Sequence, residues 1–137
     1  MSNIFLDHFI EAHEAQAIDA LNELTQGQKQ THWMWFIFPI IQGLGKSDTA
    51  QYYAIENINE AKAFINHPYL GNNYKNCLAA VLGHQDKTIR IIFNSKVDDW
   101  KFRSSLTLFK NLPSGNSVSK NIQRCLKHFY NNEPCSK

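Results

Sequence analysis

Apolar side chains that return every three or four residues constrain this chain more than any other feature. Between residues 117 and 130, Val118, Ile122, Cys125 or Leu126, and Phe129 fall on one helical face. Near the other end, Phe5, Phe9, Ala12, Ala17, Leu21 and Leu24 do the same over residues 3–25, and Gly27 ends that stretch. Further helices are expected over about 48–56, where Ser47 and Asp48 offer an N-cap, over 60–66, bracketed by Asn59 and His67-Pro68, and from Tyr69 to about Leu82, stopped by Gly83. Asp98 and Asp99 stand where helix-starting acids belong, ahead of Trp100 to Lys110, and Asp99 is spaced to pair with Arg103. Two apolar runs stay open: residues 32–38 and Thr88–Phe93 fit a buried strand or a buried helix equally. The pattern is that of a mostly or wholly α-helical fold. At 137 residues it fits one domain spanning 1–137, with a loose tail from about 131.

A chain of this size buries roughly two thirds of its unfolded surface, enough for a core without staples. With 43 % apolar and 19 % charged residues, disorder is not a candidate beyond the ends. The N-terminus has no basic segment followed by an apolar one, so it does not read as a signal peptide. The longest apolar run, Trp33 to Ile41, contains Pro39 and is too short to cross a bilayer. Cys77, Cys125 and Cys135 are widely spaced and form no CxxC, which argues against a disulfide framework or zinc knuckle and for a reducing compartment. A cytoplasmic protein without membrane contact is the expectation. No pair among the six histidines has HxxxH or HExxH spacing, so neither a metal site nor a cofactor is expected.

Charge is unevenly spread. Residues 1–86 carry 4 basic and 9 acidic side chains, and residues 87–137 carry 10 basic and 3 acidic ones. Such asymmetry can mark an anionic partner, or simply two halves that complement each other on folding. No basic run exceeds one residue and no exposed-aromatic alternation accompanies it, which disfavours nucleic acid.

Three stretches could carry chemistry. Gly43-Leu44-Gly45-Lys46-Ser47 resembles the end of a phosphate-binding loop, but the first glycine of GxxxxGK[ST] would fall at Ile40. A single anionic group held before a helix is the reduced reading, and a tight loop with a capping Ser is the plain one. In the second stretch, Lys101 lies one helical turn from both Ser104 and Ser105, so a Ser nucleophile with a Lys base is sterically conceivable. Small serines that let another helix approach are the plain alternative. The third is His32, which opens an aromatic run with Trp33 and Trp35 and reads as a base, a stacking residue or a core histidine.

The run from His32 to Pro39, followed by Gly43 to Ser47, Tyr53-Ala54-Ile55, Glu60-Ala61, His67-Pro68-Tyr69-Leu70-Gly71 and Asp99 to Phe109, resembles domain of unknown function 1810. These motifs stand in the family's order and cover nearly the whole chain. The resemblance implies a multihelical orthogonal bundle, all-α, and therefore helix at both open runs. It implies no established activity. Some members carry a calpastatin label, but calpastatin is a disordered inhibitor and this composition describes a folded domain. The family's proline is usually followed by Gln, whereas this chain has Ile40. His32, Trp33, Trp35, Gly43, Gly45, Ser47, Lys101, Ser104, Ser105 and Thr107 match the family's signature positions.

The leading expectation is a pocket for a small anionic or nucleotide-like ligand. Trp33 and Trp35 would wall it, His32 and Lys101 would supply polarity, Ser104 and Ser105 would lie beside them, and the Gly43, Gly45, Lys46 and Ser47 loop would meet the anion. Processing of ADP-ribose or another N-glycoside is a sharper version that rests on fold-level analogy. The rival is a non-catalytic interaction module that docks an acidic partner on its basic C-terminal half. Whether the chain is catalytic, and its oligomeric state, are left open by the sequence.

Overall fold

The first helix, α1 (Asp7–Gln26), buries Phe9, His13, Ala17, Ala20 and Leu24 along one stripe. It stops at Gly27, whose φ of 90° lets its N–H return to the carbonyls of Glu23 and Leu24. These positions come from a computed structural model that describes residues 6–44, 47–110, 112 and 116–130. Phe5, Gly45, Lys46 and the tail from 131 lie outside the described residues.

Both open runs are helical. The aromatic run forms the short α2 (Met34–Ile37), and Thr88 caps α6 (Ile89–Phe93) by accepting from the Ile91 N–H. In α2, the residues Met34, Phe36 and Ile37 are buried together with the flanking Trp33 and Phe38, so burial on every side erases the period that would have told helix from strand. Beyond the Met34 carbonyl, which accepts from the Phe38 N–H, a four-residue helix leaves its carbonyls without intrahelical partners. His13 answers one of them: its Nε2–H donates to the Phe36 carbonyl at 2.7 Å while Nδ1 accepts from Asn73 Nδ2 at 2.9 Å. Burial pushes His13 down to about 4, against a smaller upward pull from the Phe36 carbonyl. The unfolded chain therefore takes up a proton near pH 6.5 that the folded one refuses until about pH 4. Stability should fall by about 3 kcal/mol as pH drops through that window and flatten below it. Denaturant unfolding from pH 7 to pH 4 checks this: His13→Gln should remove most of the slope, leaving a remainder from His8, which burial also lowers, and an unchanged slope would assign the loss to other groups.

The remaining elements are set by their caps. Ser47 Oγ accepts from the Ala50 N–H at the start of α3 (Asp48–Tyr52). Asn57 caps α4 (Ile58–Asn66), and Glu60 reaches back to the Glu56 N–H at 2.9 Å. His67 alone separates α4 from α5 (Pro68–Leu82), where Pro68 supplies a pre-set first turn and His67 Nδ1 accepts from the N–H groups of Tyr69 and Leu70. Helix α7 (Lys96–Lys110) starts earlier than the paired acids suggest, because Ser95 Oγ is its cap and accepts from the Asp98 N–H at 3.1 Å. Asp98 and Asp99 thus sit in the first turn and are available for tertiary pairs. The last helix is α8 (Asn116–Tyr130).

Among the described residues the β pairing consists of one parallel bridge between Ile41 and Ile55. The fold is an all-α multihelical bundle. Helix α5 is its pillar and packs against α1, α4 and α8, while α7 packs against α6 and α8. The centre is aromatic: Phe38 meets Tyr74, Phe93 and Phe102 edge-on or nearly so, and Phe64 stacks on Phe109. Each such ring, fully buried, contributes roughly 1.5–3 kcal/mol. No helix among the described residues is long and apolar enough to cross a membrane. Cys77 and Cys125 are buried with free thiols, both pushed up to about 12 by burial.

Candidate functional site

The site is built by the segment that leaves α1. Glu23, in the last turn, folds back onto residues 30–33. Its carboxylate accepts from the N–H groups of Gln30 (2.7 Å) and Thr31 (2.9 Å), from Thr31 Oγ (2.6 Å) and from Trp33 Nε1 (2.9 Å). Burial alone would raise the carboxyl, but these donors, Thr31 Oγ first, outweigh it and hold the group below its usual range. A carboxylate so engaged is a structural tie, and it fixes the path of the chain into the aromatic run.

Within that path Lys29 is drawn inward. Its N–H donates to the Ile92 carbonyl at 2.6 Å, and its Nζ reaches Asp98 on α7 at 3.0 Å, passing 5.3 Å from the Trp33 ring. At 7 % exposure this lysine is almost wholly out of water, so the Asp98 carboxylate is what keeps its charge tolerable. One turn further along α7, the Nζ of Lys101 lies 5.2 Å from the centre of the Trp35 ring. Burial lowers the Lys101 ammonium, Asp98 pulls it back up, and Lys29 pushes it down again. Two ammonium groups therefore share one carboxylate. Beside them Trp35 Nε1 is buried and has no hydrogen-bond partner among the described residues, an uncommon state for an indole N–H. His32 is exposed, its ring 6.2 Å from that of Trp35.

Of the residues singled out from sequence, the structure thus brings together His32, Trp35 and Lys101. Trp33 is fully buried in the core, its N–H committed to Glu23. Ser104 and Ser105 are both buried, and Ser105 Oγ is hydrogen-bonded to the Tyr74 hydroxyl at 3.0 Å, on the side of α7 that faces α5. Ser47 is occupied as the cap of α3, and Gly43 takes a φ of 95° with open space around its Cα. Gly45 and Lys46 lie outside the described residues. Asp99 forms an ion pair with Arg90 at 3.3 Å and accepts from the Tyr130 hydroxyl at 2.7 Å, while the Arg103 guanidinium lies 5.2 Å from the Tyr130 ring. Among the described residues no three His, Cys, Asp or Glu side chains gather in a metal-holding group.

Glu23, Lys29 and Asp98 were missed in the sequence. Lys29 follows a helix-ending glycine and precedes an aromatic run, a place where a solvated lysine is ordinary. Only its pairing with a residue on a distant helix makes it unusual, and no local spacing records that.

The model of a family described as Protein of unknown function (DUF1810) matches residues 3–137. No curated protein matches the chain. Among solved structures, the crystal structure of a conserved hypothetical protein from Mycobacterium tuberculosis superposes with a TM-score of 0.86 at 33 % identity, covering 94 % of this chain and 89 % of that one.

Proposed function

We propose that this chain, which belongs to the DUF1810 family, binds a small phosphate-bearing or otherwise anionic molecule at the contact between Lys101 and Trp35. The observation that carries the reading is the unpartnered, buried Trp35 Nε1 beside a half-buried ammonium. An oxygen anion accepts from both donors at once, and it answers the excess of two lysines over one carboxylate. Charge-assisted bonds of this kind each contribute about 1.5–3 kcal/mol. His32, exposed beside the Trp35 ring, suits the rim where a flat substituent of the ligand would lie.

Calorimetric titration with inorganic phosphate and with AMP tests the proposal. Lys101→Met and Trp35→Phe should each weaken binding about tenfold to a hundredfold, the latter because it keeps an aromatic ring but removes the pyrrole N–H donor. Lys101→Met should leave the melting temperature unchanged or raise it, since a desolvated charge opposes folding. Equal affinity in both variants, with loss instead in the Lys46→Ala, Ser47→Ala pair, would move the ligand to the Gly43–Ser47 loop. Absence of any binding to the wild type would end the reading.

A further inference from the structure

Three of the ten basic residues of the C-terminal half form a row on α8. Lys120, Arg124 and Lys127 follow one another at i, i+4 and i+7, all exposed. Together with Lys110 at the end of α7 they line a depression of ≈570 Å³ floored by Leu126, which continues past Arg124 and Lys127 toward Leu82 and His128. Among the described residues no acid lines either part. The acidic half has a counterpart. On α1, Asp7, Glu11 and Glu14 stand at the same i, i+4, i+7 spacing, all exposed, and the row ends in Ile18, which is 75 % exposed. Both rows are about 10 Å long, so they match when two helices lie antiparallel. Glu14 then meets Lys120, Glu11 meets Arg124, and Asp7 meets Lys127. In that arrangement the positive end of one helix dipole also lies beside the negative end of the other.

We propose that the acidic row of α1 docks on the basic groove of α8 in a second copy of this chain. Surface ion pairs contribute little singly, so the contact draws on three aligned pairs together. The groove is a poor fit to a nucleic-acid strand, because among the described residues no Phe, Tyr or Trp lines it to stack a base. The two surfaces differ, so the contact is head-to-tail and either closes into a ring or extends with concentration.

Sedimentation of the full chain at about 0.01 M and about 1 M salt tests this, since screening at the higher salt confines charge effects to a few ångströms. The wild type should associate at low salt and dissociate at high salt. Glu11→Lys with Glu14→Lys, and separately Lys120→Glu with Arg124→Glu, should each sediment as monomers with an unaltered circular-dichroism spectrum. An equimolar mixture of the two should regain association, because each variant then offers what the other lacks. A wild type that stays monomeric at low salt, or a mixture that does, overturns the proposal. So does association that survives both reversals, or an oligonucleotide bound in the groove by an otherwise monomeric chain.

Discussion

Replacing Gly71 with alanine should cost about 3 kcal/mol or more, although the same change in an ordinary helix interior gains about 1 kcal/mol. The backbone at Gly71 is not what demands glycine. With only His67 between them, α4 and α5 form a sharp corner, and the first turn of α5 lies back against the end of α4. A Cβ on residue 71 would overlap the carbonyl oxygen of Ile65. Backbone cannot move aside as a flexible side chain does, so the corner must open and α5 must shift from the partners it packs against. Denaturant unfolding gives the answer by sign: a clear loss supports the contact, and a gain would show that the corner relaxes at no cost.

Glu23→Ala should be the second large effect, again about 3 kcal/mol. It removes a charged acceptor from four donors, and one of them, Trp33 Nε1, belongs to a fully buried ring. An unsatisfied buried donor costs about 1–3 kcal/mol, and two loop N–H groups lose their partner as well. Glu23→Gln keeps one acceptor oxygen and should lose less. The tie to Trp33 can be isolated by a double-mutant cycle, because Trp33→Phe removes the donor. If the two changes add without coupling, the hydrogen bond contributes nothing. The acid dependence has a definite sign. The carboxyl is lowered on folding, so its contribution is present above its unfolded pKa of about 4.5 and is lost as pH falls through the folded value. That window opens at the acid end of the one in which His13 acts and extends below it.

The long helices are legible in the sequence because their apolar residues keep the helical period and their ends carry recognisable caps. Gly27 and His67-Pro68 fall where chain reversals demand them. Periodicity fails at Met34–Ile37, which is buried on most sides, and at Ile89–Phe93, where an apolar but exposed Ile91 blurs the helical face of Ile89, Ile92 and Phe93. There the family resemblance implied helix and the packed chain adopts it. The start of α7 was misplaced because two adjacent acids outweighed the less conspicuous Ser95. Residue type could not separate pocket from core. Trp33 and Trp35 are neighbours of the same kind, yet one is a buried ring with its N–H tied and the other carries an idle one. Lys29 and Asp98 meet only because the segment after α1 is bonded to α6, against which α7 packs, and pairing across that distance leaves no mark on local pattern.

The central place of α5 also bears on the order in which the chain can assemble. Its partners arrive from both directions: α1 and α4 are synthesised before it, whereas α8 is the last of the described helices to leave the ribosome. Until then Cys77, Tyr74 and the Ile122, Cys125 and Leu126 positions that share the core lack their full set of neighbours. The N-terminal helices can collapse early onto α5, but one flank of the pillar stays uncovered and adhesive for that interval. Closure of the core is thus a late step, governed by contacts distant in sequence even though every element is itself local. The basic row on α8 keeps the late-arriving helix well solvated on its outer face while its inner face finds that flank.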